Sequence, residues 1–373
     1  MKITIFIHSL GLGGAERTTA FLADYWARRG HDVLVVTQAP KQRDEFVLDG
    51  RVRRVSLDSE FESRSFIHAL LSNVRRLLTL RTVLRDERAD VALGVMSISS
   101  VLLAIAGLGL PGIRLGTEHT HPPGAPLARP WALLRKASYG ALDAVVALTE
   151  RTESWILQNT WARRTFVIAN PLVLPLPTLG NVIKPDDVLP KHSRTLLCVG
   201  RMVPAKRFDR AVEAFSRLAG AHPDWVLAII GDGPLRQDLT EQIGRLPCRD
   251  RVFVPGSVGN TADWYEQSDC LALTSDVEGF PNALLEAMAH GLCCVALDCD
   301  TGPRDLIDDG IDGLLVPAGD VDGLVFALDR CMSDSALRRR LGERAAAAAK
   351  RYEIDEVAAQ WRRLGREFGV DWH

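Results

Sequence analysis

The sequence predicts an α/β protein made of two doubly wound, Rossmann-like domains. Three observations carry this prediction. Short apolar runs alternate with stretches of helical length along most of the 373 residues. Several of the runs are followed by glycine turns, at 11–14, 200 and 231–233, as strands are when they lead into helices. Five prolines (171, 175, 177, 185 and 190) interrupt the alternation once and mark a linker. The expected division is a first domain over 1–172, a linker over 173–194 and a second domain over 195–352, the two domains facing a central cleft. A helical tail, roughly 335–368, is long enough for its last part, about 353–373, to cross back onto the first domain.

Composition bounds the reading. A hydrophobic fraction of 47% supports two sizeable cores and excludes a disordered chain. Residues 1–172 carry 22 Lys+Arg against 16 Asp+Glu, whereas the remainder carries 23 against 31. A basic first half points to an anionic partner there, such as a phosphorylated acceptor or a membrane surface. The seven cysteines show no C-x-x-C spacing and read as small buried residues in a reducing cytoplasm. Val91–Ile113 carries no charge, yet its serines, glycines and Pro111 split it into a strand over 91–95, a serine-rich turn and a short helix over 99–108, buried elements of a parallel sheet.

Taken in order, Ile3–Ile7 is a strand, Gly11–Gly14 a turn, Ala15–Arg29 a helix closed by Gly30, and Val33–Val36 the next strand. Gly13 and Gly14 place backbone amides at a helix start, where a phosphate or sugar can approach. Glu16 stands where a dinucleotide fingerprint needs its third glycine, which disfavours a nicotinamide dehydrogenase. Between Arg64 and Arg88, apolar residues at helical spacing form a stripe flanked by Arg64, His68 and Arg75, a basic edge suited to pyrophosphate or a membrane surface. Arg81 would fall on the apolar face of an unbroken helix, so a break is expected near Leu78–Thr79. Glu118 and His119 follow a strand at its C-terminal end, the edge where open sheets bind ligands; Glu118 is assigned to the acceptor side and His119 to a substrate hydroxyl or developing charge. Helix 131–139 and strands 144–148 and 165–168 complete this half.

In the second half, Gly200-Arg201 ends a strand and Lys206 follows, two cations able to neutralise a diphosphate leaving group. Gly231 repeats the strand-then-glycine pattern. Glu278 precedes Gly279-Phe280-Pro281, and Glu286 lies a turn into a helix begun near Asn282, whose side chain can cap it. The free N–H groups of that helix make an anion seat, with a glutamate on either side to accept from hydroxyls, an arrangement that suits a nucleotide sugar. Asp298-Cys299-Asp300 could be a metal-holding D-x-D, but with two cations upstream no metal is expected, and Thr301–Arg304 reads as a turn facing the sugar.

These pieces together resemble glycosyltransferase family 4, of GT-B fold: GLGGAER at 11–17, EHT at 118–120, GRMVPAK at 200–206, GDGP at 231–234, VFVPGSV at 252–258 and EGFPNALLEAMAHG at 278–291. The resemblance implies a retaining, metal-independent and cofactor-free enzyme in which Arg201 and Lys206 hold the donor diphosphate and Glu286 the ribose. It places Glu278 and the backbone of Gly279, Phe280, Pro281 and Asn282 on the transferred sugar, His119 near its reacting face, and Gly13-Gly14 near the phosphate and acceptor. CDTGPRDLI at 299–307 and the basic helix look like bacterial transferases acting on polyprenyl-diphosphate-linked glycans. Arg207 departs from the acidic or glycine residue usual after the lysine. The expected partners are a UDP-sugar, a lipid-linked or saccharide acceptor and the inner face of the cell membrane, with no nucleic acid. The alternatives are a GDP-mannose-dependent lipid mannosyltransferase, a nucleotide-sugar epimerase, and a degenerate sugar-binding protein.

Overall fold

The computed structural model describes residues 1–58 and 66–372, and for residues 66–73 the backbone alone. The chain divides into two compact units, Met1–Pro171 with Ile354–His373, and Leu172–Glu353. In chain order the first comprises β1 (Lys2–Ile7), α1 (Gly14–Arg28), β2 (Asp32–Thr37), β3 (Arg53–Ser56), α2 (Phe66–Glu87), β4 (Val91–Val95), α3 (Ser97–Ala106), β5 (Ile113–Glu118), α4 (Arg129–Ser138), β6 (Ala144–Ala147), α5 (Glu150–Asn159) and β7 (Thr165–Val167). The second comprises β8 (Arg194–Val199), α6 (Phe208–Leu218), β9 (Trp225–Ile230), α7 (Arg236–Gly244), β10 (Val252–Gly256), α8 (Thr261–Glu266), β11 (Cys270–Leu273), α9 (Asn282–Ala289), β12 (Cys293–Asp298), α10 (Pro303–Leu306), β13 (Leu314–Pro317), α11 (Val321–Ser333) and α12 (Ser335–Ala349). The last helix, α13 (Ile354–Glu367), belongs to the first unit.

Both sheets are parallel, in the orders β3-β2-β1-β4-β5-β6-β7 and β10-β9-β8-β11-β12-β13. Each order reverses beside its first strand, between β1 and β4 and between β8 and β11, and ligands settle at the carboxyl ends of strands at such switch points. Burial on both faces explains the unbroken apolar runs. In β1, Ile3, Ile5 and Ile7 pack with α1 and α13, whereas Phe6 packs on the opposite face with α2 and α3. Trp26 of α1, Trp361 of α13 and Trp372 stack at centroid distances of 5.1–5.8 Å. Tyr25 and Arg29 both donate to Asp355, which ties the C-terminal segment to α1.

Four expectations are corrected. Helix α2 runs unbroken through Leu78 and Thr79, because the Arg81 guanidinium finds acceptors in the carbonyls of Ala106 (2.8 Å) and Leu108 (2.7 Å) at the end of α3. The serine-rich turn is instead the first turn of α3. The tail is two helices, interrupted at Lys350–Glu353 where the Tyr352 hydroxyl donates to the Asp305 carbonyl and its ring meets Phe280. The proline-rich segment belongs to the second unit: Asn260 donates to and accepts from the backbone of Ile183, and Trp264 Nε1 donates to the same carbonyl. Sequence reading also missed β3, α5, α8, α10, β13 and α11. Arg64 lies outside the described residues, as does the side chain of His68, and Arg75 is exposed on α2.

Candidate active site

In the second unit the predicted residues gather at the carboxyl edge of the sheet. The β8 and β9 ends approach backbone to backbone: Gly231 has φ +131°, and a Cβ there would stand 1.9 Å from the Gly200 carbonyl oxygen. Only glycine permits this closeness. The loop after β8 carries exposed Arg201, whose guanidinium has no carboxylate partner among the described residues, and a short turn, Pro204–Lys206, that aims Lys206 inward. Lys206 Nζ donates to Glu278 Oε1 at 2.6 Å, and Ser275 Oγ donates to the same oxygen at 2.7 Å. Glu278 is only 8% exposed. Thr274 Oγ1 donates to the Lys206 carbonyl and Thr301 Oγ1 to the Glu278 carbonyl, so both loops are held by hydroxyls. Gly302, at φ +99°, brings the next turn against Pro281 and Glu278.

Helix α9 is capped by Pro281, not by Asn282 as expected. The Pro281 carbonyl accepts from Leu284 and Leu285, which makes Asn282 the first helical residue. Glu286 is buried one turn later; its Oε2 accepts from the Tyr265 hydroxyl at 3.0 Å, and its carbonyl meets His290 Nδ1 at 2.7 Å. Phe280 is buried against Tyr352. Arg207, the unusual residue after the lysine, sits at φ +50° and turns into a network with Asp209 and Asp276 that Arg210 shares. Asp298 is gripped twice by Arg304, so it is an ion-pair partner.

In the first unit, Gly13 precedes α1 in an extended conformation, and a Cβ there would fall 2.2 Å from Glu16 Oε2. The acid of the first turn thus lies over the glycine loop, at the position where an anion would meet Gly13 and Gly14. His119 is half-buried at the end of β5 with Nδ1 unpaired, and burial lowers its pKa to about 4. It lines a narrow pocket with Thr18, Thr19, Asn170 and Trp361. A neutral imidazole offers a hydrogen bond, not a positive charge, to what enters. Glu118 departs from its expected place on the acceptor side. It is buried, accepts from Ser97 Oγ (2.6 Å) and the Tyr139 hydroxyl, and faces Arg135 at 3.6 Å, with burial raising its pKa. His121 is buried against Thr152, so Glu118, His119 and His121 form no ligand set.

Sequence reasoning gave no role to Ser275, Thr274, Tyr265 or His290. Ser275 and Thr274 had a signal, two hydroxyls just after a strand end; Tyr265 and His290 had none.

Known proteins share the fold and the sequence family. Residues 12–174 match the family model described as Glycosyltransferase Family 4, and residues 181–348 match that described as Glycosyl transferases group 1. An exopolysaccharide phosphotransferase of Streptomyces coelicolor is 36% identical over 80% of this chain, which spans 30% of that protein's length. The Campylobacter jejuni GalNAc-alpha-(1->4)-GalNAc-alpha-(1->3)-diNAcBac-PP-undecaprenol alpha-1,4-N-acetyl-D-galactosaminyltransferase is 27% identical, with 98% of both chains covered. Among solved structures, the Anabaena HepE protein in complex with UDP-glucose superposes with a TM-score of 0.78 at 19% identity, covering 99% of both chains. Two parallel α/β units of GT-B type, matched by one family model each, place the chain in glycosyltransferase family 4.

Proposed function

We propose that this protein transfers a hexosyl or N-acetylhexosaminyl group from a UDP-sugar to a lipid-linked, polyprenyl-diphosphate glycan or a related saccharide acceptor, with retention of configuration. The observation that carries the reading is the Lys206–Glu278 pair, held by Ser275 and Thr301 at the carboxyl edge of a parallel sheet beside the α9 N-terminus. Arg201 and Lys206 bind the donor diphosphate and neutralise charge as the bond from the anomeric carbon to phosphate oxygen breaks. Glu278 accepts from a sugar hydroxyl, Glu286 from the ribose, and His119 hydrogen-bonds the sugar. The acceptor oxygen bonds to the anomeric carbon on the face the diphosphate leaves, and a departing phosphate oxygen takes the acceptor proton. With two cations at the leaving group, the proposed reaction uses neither a metal nor a cofactor.

The lipid-linked acceptor is supported by the Campylobacter relative's name and the UDP donor by the Anabaena complex. We place the protein in the cytoplasm, at the inner face of the membrane. No described helix is long and apolar enough to cross a membrane. Helix α4 and its neighbour expose Leu133 (70%), Leu134 (43%) and Trp161 (62%) beside Arg129 and Lys136, and no acidic residue occurs over 119–142. Such a face suits an anionic bilayer surface.

A panel of UDP- and GDP-sugars read by thermal shift, followed by product analysis with a polyprenyl-diphosphate glycan, tests the reading. Stabilisation by one UDP-sugar and an α-linked product are expected from an α-linked donor. Stabilisation by GDP-mannose alone, or an inverted product, would overturn it.

A further inference from the structure

Cys270 and Cys293 open neighbouring parallel strands, β11 and β12, as register partners, and Cys331 of α11 packs over them. Parallel pairing points both strand side chains to one face, and the helix closes that face. All three are at most 1% exposed, their sulfurs lie within 4.8 Å of one another, and Cys293 and Cys331 Sγ are 3.3 Å apart. A metal ion bound by three thiolates at about 2.3 Å in a plane needs sulfurs about 4 Å apart, so small side-chain rotations would complete such a site. No His, Asp or Glu ligand atom joins the group among the described residues. A three-sulfur set without a fourth ligand selects soft ions over Mg²⁺ or Ca²⁺.

A second observation is electrostatic. Arg338 is buried over the Trp225 ring, donates to the carbonyls of Cys331 (2.6 Å) and Met332 (3.0 Å), and has no carboxylate partner among the described residues. A buried cation without an acid is costly unless another anion offsets it.

We propose that Cys270, Cys293 and Cys331 form a three-thiolate site for a soft, thiophilic metal ion that clamps β11, β12 and α11. A divalent ion displaces the three thiol protons to solvent and leaves a net charge of −1, which Arg338 offsets. Cys270 and Cys293 lie at the amino ends of strands whose carboxyl ends carry the Glu278 and Thr301 loops, so the ion's role is structural.

Cadmium is the probe, added to the reduced full-length protein without oxygen. One equivalent should give the ultraviolet sulfur-to-cadmium charge-transfer band, and saturation should raise Tm by about 5 °C or more. Cys293→Ala and Cys331→Ala should lose both effects, whereas Cys198→Ala should keep them. As a check independent of how the variants fold, one equivalent should protect Cys270, Cys293 and Cys331 of the wild type from alkylation during unfolding-limited labelling. No band, an undiminished band in folded Cys331→Ala, or protection of other cysteines instead would overturn the proposal.

Discussion

Lys206→Ala separates what the Lys206–Glu278 contact does for the fold from what it does for the reaction. In the wild type the ammonium is 2.6 Å from a carboxylate that is 8% exposed, and the carboxylate's other donor is Ser275. Removing the cation leaves a nearly buried charge with a neutral donor, which costs about 1–3 kcal/mol of stability. The Lys206 side chain retains 22% exposure, so water softens the loss toward the lower figure. For the reaction, deleting one of two cations at the leaving diphosphate raises the barrier by about 2.7 kcal/mol, on the order of a hundredfold in kcat. The assay is steady-state release of UDP from the identified donor, alongside a thermal melt. A folded Lys206→Ala protein with turnover within about threefold of wild type would refute the diphosphate role.

Other consequences are open to test. His119, with its pKa lowered to about 4, is neutral near pH 7 and disfavours folding once it must be charged, so stability falls as pH drops from about 6.5 toward 4. His119→Gln should flatten that fall in an acid melt series, and loss in this variant of a rate limb near pH 6.5 would show that the histidine is charged in the working range. Gly231→Ala must relieve a 1.9 Å approach to the Gly200 carbonyl from a backbone that L residues rarely adopt. Its cost is at least about 3 kcal/mol, visible as a Tm lower by roughly 6 °C or more; an unchanged melt would mean the loops are not closed. Leu133→Ser with Trp161→Ser should release the protein from vesicles containing anionic lipid without changing its melt, and undiminished flotation would remove α4 from the membrane surface.

Much of the architecture was legible because parallel strands buried on both faces write themselves as apolar runs, and glycines at 200 and 231 mark where those strands turn. The elements missed are short or weakly patterned: β3 has the polar sequence RRVS, and β13 has four residues. Periodicity misjudged Arg81, since it treats a charge on an apolar face as a break and cannot see carbonyls at the end of another helix waiting for donors. Glu118 was misplaced for a related reason. A residue at the carboxyl end of a strand can turn to the ligand or to the core, and Ser97, Tyr139 and Arg135 turned this one inward.

By itself the sequence determined the α/β class, the two sheets and the motifs at their strand ends, all of which depend on local spacing. Tertiary structure decided who meets whom. Lys206 finds Glu278 across 72 positions because β8 lies beside β11, which makes the loop after one neighbour to the loop after the other. The same strand order, with α11 laid over it, gathers three cysteines that no spacing rule connects. Strand order is set by the burial of whole faces and by right-handed crossovers, so chemistry assembled across it is invisible residue by residue.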